Sequence, residues 1–231
     1  MMTERRKMIR TMEDMARMVE QYGFLPFFPC NIPGFSIEEH TAREIYFKKD
    51  VDGPWEWKGP VIRRTRAAYG KFFFGKAGFV SKELFPHFAN WRRDGYDIDA
   101  RFNDGLARTR DLKLVQTLER IGPSLSKTLK TEAGYSSRKG EGGLKGFDSA
   151  ITRMQEQCYI ITSDFVYMRD RNGKEYGWGV AEYSTPEQRY GNDFTDAVYR
   201  CSPEESFEII VGRLKDNLGS RSEKSIRELL K

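Results

Sequence analysis

Chemistry in this chain would have to come from few side chains. Asp97 and Asp99 are the best-spaced carboxylates: two apart on extended chain, they would point to one face and could orient a water. Directly after a basic stretch, the same pair would equally cap turns or neutralise Arg92 and Arg93. Gln155 and Gln157 form the one Gln-x-Gln of the sequence, and such amides could read a base edge or bond neighbouring backbone. His40 and His87 are the two histidines, and neither has a visible sequence partner. Cys30, Cys158 and Cys201 are odd in number, far apart and without a C-x-x-C, so neither a metal site nor a disulfide framework is expected. Residues 140–146 are glycine-rich but lack the Gly-Lys-Ser/Thr ending of a phosphate loop, which disfavours nucleotide hydrolysis.

What the chain does concentrate is positive charge. Over 231 residues, 39 Lys+Arg face 34 Asp+Glu, a net of only +5. Residues 58–93 alone hold nine bases against the single acid Glu83, a net of +8, and residues 94–104 follow with a net of −3. A second basic stretch spans residues 127–145. Aromatics interleave the first stretch (Trp55, Trp57, Tyr69, Phe72, Phe73, Phe74, Trp91), the footprint expected of a phosphate-backbone binder. The expected contacts to double-stranded DNA are Arg63, Arg64, Arg66, Lys71, Lys76, Lys82, Arg92, Arg93, Lys127, Lys130, Arg138 and Lys139. A solvated face paired to the acidic segment is the plain alternative. Arg92 and Arg93 also sit near a helix end, where cations complement the dipole.

Composition narrows the setting. A hydrophobic fraction of 39% with 13% aromatics is too rich for intrinsic disorder. No apolar run approaches the roughly 18 residues of a membrane span; the densest, 24–30, is broken by Pro26 and Pro29. Charges throughout residues 3–10 argue against a signal peptide. A reduced, cytoplasmic protein without metal or membrane is expected.

The elements that must position these residues can be read from periodicity and caps. Residues 3–22 predict a helix with Met8, Met12, Met15 and Val19 on one face. Ser36 and Glu39 match a capping box, and Gly53-Pro54 predicts another short helix. Residues 67–74 and 78–80 flank Gly75-Lys76 as a β-ribbon, and Ser81 is expected to cap a helix ending at Asp94-Gly95. Helices are expected over 106–120, from Ser124 to about 133, and over 147–157. Two strands follow, 159–168 and 175–183, around Asn172-Gly173. Ser202-Pro203-Glu204-Glu205 opens an amphipathic helix with Phe207, Ile210, Val211, Leu214 and Leu218 at helical spacing, and 222–231 predicts a last one. Three helices and then a β-ribbon is the order of a winged helix-turn-helix.

The stretch Arg66-Ala-Ala-Tyr-Gly-Lys-Phe-Phe-Phe-Gly-Lys-Ala-Gly-Phe-Val-Ser81, the turn Leu118-Glu-Arg-Ile-Gly-Pro-Ser-Leu-Ser-Lys-Thr-Leu-Lys130 and the wing ending Tyr176-Gly-Trp178 together resemble the AlkZ-like DNA glycosylases, in particular shorter relatives. The resemblance implies an α+β, mainly α fold: tandem winged helix-turn-helix modules with short antiparallel β-hairpin wings. The expected division is an N-terminal module over 1–104, a winged module over 105–185 and a C-terminal helical segment over 186–231. It further implies DNA binding that recognises duplex shape or damage, and excision of alkylated or crosslinked bases without a cofactor. The family carries a Gln-x-Gln or Gln-x-Asp motif in its N-terminal part; here that part has none, and Gln155-Glu-Gln157 lies on the third helix of the second module. No catalytic role is carried over. The competing expectation is a non-catalytic protein-interaction module, favoured by the acidic third helix and the amphipathic helix after Pro203.

Overall fold

Thr11 decides where the chain first becomes helical. Its hydroxyl accepts the Asp14 N–H and the Asp14 carboxylate accepts the Thr11 N–H, each at 3.1 Å, a reciprocal cap. Helix α1 therefore runs Met12–Tyr22 and ends on Gly23, whose φ of 71° suits glycine. Of the helix expected from Thr3, residues 3–7 lie outside the described residues and 8–11 are not helical: Met8 precedes the cap and is exposed, whereas Met15 and Val19 carry the buried stripe. The computed structural model describes residues 8–46, 48, 51–135, 143–173, 175–219 and 223–230.

After α1 come β1 (Phe24–Pro26), the short helix α2 (Ile37–His40), α3 (Lys58–Thr65), β2 (Ala68–Phe73) and β3 (Lys76–Val80). Gly53-Pro54 opens a turn in which the Gly53 carbonyl takes the N–H groups of Glu56 and Trp57, and the helix itself begins only at Lys58. The β2–β3 turn is Phe74-Gly75, one residue earlier than expected. Both have positive φ (52° and 72°), as a two-residue hairpin loop of the primed type demands. Helices α4 (Phe85–Arg93) and α5 (Ile98–Asn103) follow.

Then the order returns: α6 (Thr109–Ile121), β4 (Ser124–Leu125), α7 (Ser126–Glu132), α8 (Phe147–Glu156), β5 (Ile161–Arg169) and β6 (Glu175–Ser184). The helix expected to start at Ser124 is delayed by β4, which pairs with β6. All pairings between these strands are antiparallel, and the strands form one sheet in the order β1-β3-β2-β5-β6-β4. That order is a palindrome of types. Each half contributes a short outer strand and a hairpin, and the first hairpin strands meet at the centre, Tyr69 opposite Thr162. The third helix of each half crosses over, α3 packing on β5 and α8 on β2. No repeat is visible in the residues; it exists in the order of elements. The fold is thus mixed α and β around one continuous sheet, where two separate hairpins were expected.

The C-terminal stretch adds α9 (Pro186–Tyr190), α10 (Asn192–Thr195), α11 (Pro203–Leu218) and α12 (Glu223–Leu230). Ser202 and Glu205 cap α11 reciprocally, and Phe207, Ile210, Val211 and Leu214 face inward, as the spacing predicts. Helix α11 lies on α4, so this stretch completes the core built on the first half, with Phe24, Phe72, Phe85 and Phe88 at its centre. A second cluster, around Leu114, Leu118, Leu129, Ile151 and Met154, fills the second half.

Arg93, expected at the surface, is 1% exposed and joins these parts. Its guanidinium donates to Glu187 Oε1 (2.7 Å), to the Tyr199 hydroxyl (3.1 Å) and to the Cys158 carbonyl (2.9 Å), and it lies over the Tyr159 and Phe194 rings. Burial works against its charge, but Glu187 and Tyr199 outweigh that and raise its pKa overall. Arg93→Met should lower unfolding free energy by about 2–4 kcal/mol in urea denaturation, since it orphans the buried Cys158 carbonyl and strips Glu187 of its ion-pair partner. A loss within about 0.5 kcal/mol, the range of ordinary surface changes, would show that the joint is held by the apolar contacts alone.

Candidate nucleic-acid interface

The β2–β3 hairpin sorts its side chains by the glycine pair Gly70 and Gly78, which face each other in register. A Cβ on Gly78 would sit 2.3 Å from the Phe73 ring, so the ribbon's inner face is committed to aromatics. Lys71 is the exposed residue of β2. Its backbone N–H donates to Gln155 Oε1 (3.2 Å) and its ammonium to Thr152 Oγ1 (3.0 Å), both on α8. Lys76 follows the turn and is exposed, with no ion-pair partner among the described residues. Arg66 ends α3 in the left-handed region (φ 55°), its side chain exposed and its carbonyl accepting the Tyr190 hydroxyl. Arg63 donates to Asp164 on β5 at 2.6 Å, and Arg64 lies 4.0 Å from Glu13; both remain half exposed.

Six of the nine cations of residues 58–93 stay within reach of solvent: Arg63, Arg64, Arg66, Lys71, Lys76 and Lys82, the last held by Asp193 at 2.6 Å. The other three turn inward. Arg93 is the joint described above. Arg92 donates to the Phe72 carbonyl (3.0 Å) and lies over Phe88, and burial lowers its pKa. It braces the hairpin from beneath and offers no surface charge comparable to the six. The expectation that Arg92 and Arg93 contact a phosphate is corrected, because the helix end that carries them is packed and not free.

On the second half, Lys127 is exposed and Lys130 half-buried on α7, while Arg138 and Lys139 lie outside the described residues. The outer face of α8 presents Asp148 and Glu156, and its one cation, Arg153, is taken by the buried Asp111 (2.5 and 2.8 Å). This helix face is acidic, as its composition implied.

The candidate catalytic side chains do not converge. The chain is extended at Asp97 but turns helical directly after it: Asp97 caps α5 by accepting the Ala100 N–H at 2.7 Å, and Asp99, in the first turn of that helix, accepts Gln116 Nε2 at 3.1 Å. Gln155 is 2% exposed and ties the two halves, taking the Lys71 N–H and donating to Thr162 Oγ1 at 3.1 Å. Gln157 is half-buried just past the end of α8. His40 is buried against the Gly34 carbonyl, and His87 lies near Ser206 and Cys201.

One residue escaped sequence reasoning. Lys58 counted only as charge, yet it is buried, with its ammonium 3.3 Å from the Trp55 ring centre and 4.3 Å from that of Phe165. The Trp55-Glu-Trp-Lys58 spacing was its only signal. Burial pulls its pKa down to about 7, against the upward pull of Glu56.

The sequence model of a family described as AlkZ related matches residues 9–231. No curated protein matches the chain, and no solved structure does.

Between pH 7 and about 10.5 the unfolded chain holds a proton on Lys58 that the folded chain has released, so folding stability should rise with pH across that window. The depressed pKa corresponds to about 5 kcal/mol at most, and the two ring faces, which favour the ammonium, work against it. Lys58→Met should flatten that rise in chemical denaturation series run at several pH values. An unchanged slope would mean that Lys58 stays charged in the folded protein.

Proposed function

This chain belongs to the AlkZ-related family, and from that premise we propose that it is a DNA-binding protein of the repair type, engaging the phosphates of double-stranded DNA through α3 and the β2–β3 hairpin. Family membership supports the ligand class. The observation that carries the reading is the grouping of Arg63, Arg64, Arg66, Lys71 and Lys76 on one helix end and the adjoining hairpin, exposed and interrupted by few acids. Lys82, Lys127 and Lys130 extend the contact at its margins; Arg138 and Lys139 belong to the same proposal.

We read each half as a winged helix-turn-helix. Helix, short strand, two helices and a hairpin recur in both, with the short strand beside the second hairpin strand each time. The division 1–104, 105–185 and 186–231 follows from that reading, with α5 leaning on the second core through Ile98. In such a module the third helix would ordinarily read the groove. Here α8 is acidic outside, so the proposed contact shifts to the first half and to phosphates. Recognition, not excision, is the role this geometry supports, because Asp97, Asp99 and Gln155 each make a structural hydrogen bond.

A second reading has its own observation. Val166 and Val180 face each other across the second hairpin and are 44% and 39% exposed, beside Met168 at 60%. Such an apolar strip suits a protein partner better than a phosphate, and the same chain could hold both surfaces.

Duplex binding measured against salt should give a slope of about −4.5 in log K against log salt, from five phosphate contacts at about −0.9 each. Reversing Arg66, Lys71 and Lys76 to Glu should weaken binding equally across sequences and flatten the slope by about 3. A slope near zero in the unmodified protein would remove phosphates from the account and leave the protein-interaction reading.

A further inference from the structure

The tip of the first hairpin carries a feature that phosphate binding does not use. Position 74 needs a positive φ, where Asn, Asp or Gly is the ordinary occupant, yet the residue is Phe74, with φ 52° and 62% of its surface exposed. Beside it opens a cleft of about 280 Å³ lined by Pro26, Phe28, Pro29, Phe73, Phe74 and Lys76. A strained backbone that holds a large apolar ring in water, on the rim of an aromatic cleft, calls for an occupant.

We propose that this cleft receives one unpaired nucleobase of a DNA strand, stacked on Phe74, with Lys76 holding the adjoining phosphate. The proposal rests on the DNA-binding reading and adds a subsite to it. Size argues for a single base: a closed cavity of about 150 Å³ takes up benzene, so one nearly twice that volume suits a bicyclic ring, while drug-sized ligands need about 300–1,000 Å³. Chemistry argues for a base over a lipid or peptide side chain. Flat rings and prolines offer stacking, and Lys76 brings the one formal charge of the lining, which matches a strand that alternates aromatic rings with phosphates. Cys30, at the cleft's end, stays a neutral thiol because burial raises its pKa, and Asn31 is tied by its amide to the Ser225 carbonyl (2.8 Å). On the turn's other side, a side chain at Gly75 would meet Glu156 of α8, so a phosphate is repelled there and drawn to the Lys76 side.

The test compares two duplexes at equal salt, one fully paired and one with a single bulged adenine. The protein should bind the bulged duplex about tenfold more tightly, stacking of one base being sufficient for that preference. Phe74→Ala should abolish the preference and leave affinity for the paired duplex unchanged, while Phe74→Trp should retain it and lose tryptophan emission on the bulged duplex alone. Phe74 is exposed, so neither variant threatens folding, and circular dichroism confirms that. Equal affinity for both duplexes, or a preference that survives Phe74→Ala, would overturn the base site and leave phosphate binding standing. Binding to neither duplex at low salt would remove both.

Discussion

The buried guanidinium of Arg93 is the constraint on which the arrangement of the chain depends. A planar cation with five donors can serve three acceptors in different directions, and here they lie on three separate stretches: the turn after α8, helix α9 and the loop before α11. None of these would hold a charged group alone. Together they fix α4 against the second half, and the Tyr159 and Phe194 rings close over the remaining faces. Cys158, whose carbonyl completes the set, has a positive φ of 60° for a residue with a side chain, and its neighbours hold it there.

Fixing that joint places α8 alongside β2 and sets the electrostatic asymmetry of the molecule. Lys71 is drawn to Thr152 and Gln155, and Arg63 to Asp164, so each half lends a polar side chain to the other's central strand. The crossing helices therefore face different partners with different charge. Helix α3 ends in exposed arginines, whereas α8 presents carboxylates, and two halves built in the same order acquire opposite electrostatic roles.

Local chemistry was legible in the sequence; long-range geometry was not. Ser202-Pro203-Glu204-Glu205 and Asp94-Gly95 act within one turn of chain, and the first starts its helix and the second ends its helix where the residues imply. The second hairpin lies close to its expected bounds for the same reason. The union of β2 with β5 couples strands about ninety residues apart, and no pattern within either strand announces it. Arg93 misled for a related reason: a cation in the last turn of a helix is ordinarily a solvated complement to the dipole, and only tertiary partners make it a core residue. Asp97 and Asp99 looked paired because extended chain was assumed, and the cap that Asp97 itself forms makes that segment helical.

The palindromic strand order has a consequence for the protein's behaviour in concentrated solution. A sheet's open rims are where foreign strands attach, and here the two long inner strands of each hairpin are satisfied on both sides over part of their length. What remains outermost is β1, three residues ending in Pro26, and β4, two residues directly after Pro123. Neither terminal strand offers a ladder long enough to template another chain; the longer open edges belong to the second hairpin, where β6 is covered only at Glu182 and Tyr183 and β5 meets β2 only at Thr162. The meeting of the halves at the centre thus confines any added strand to the projecting part of the second hairpin.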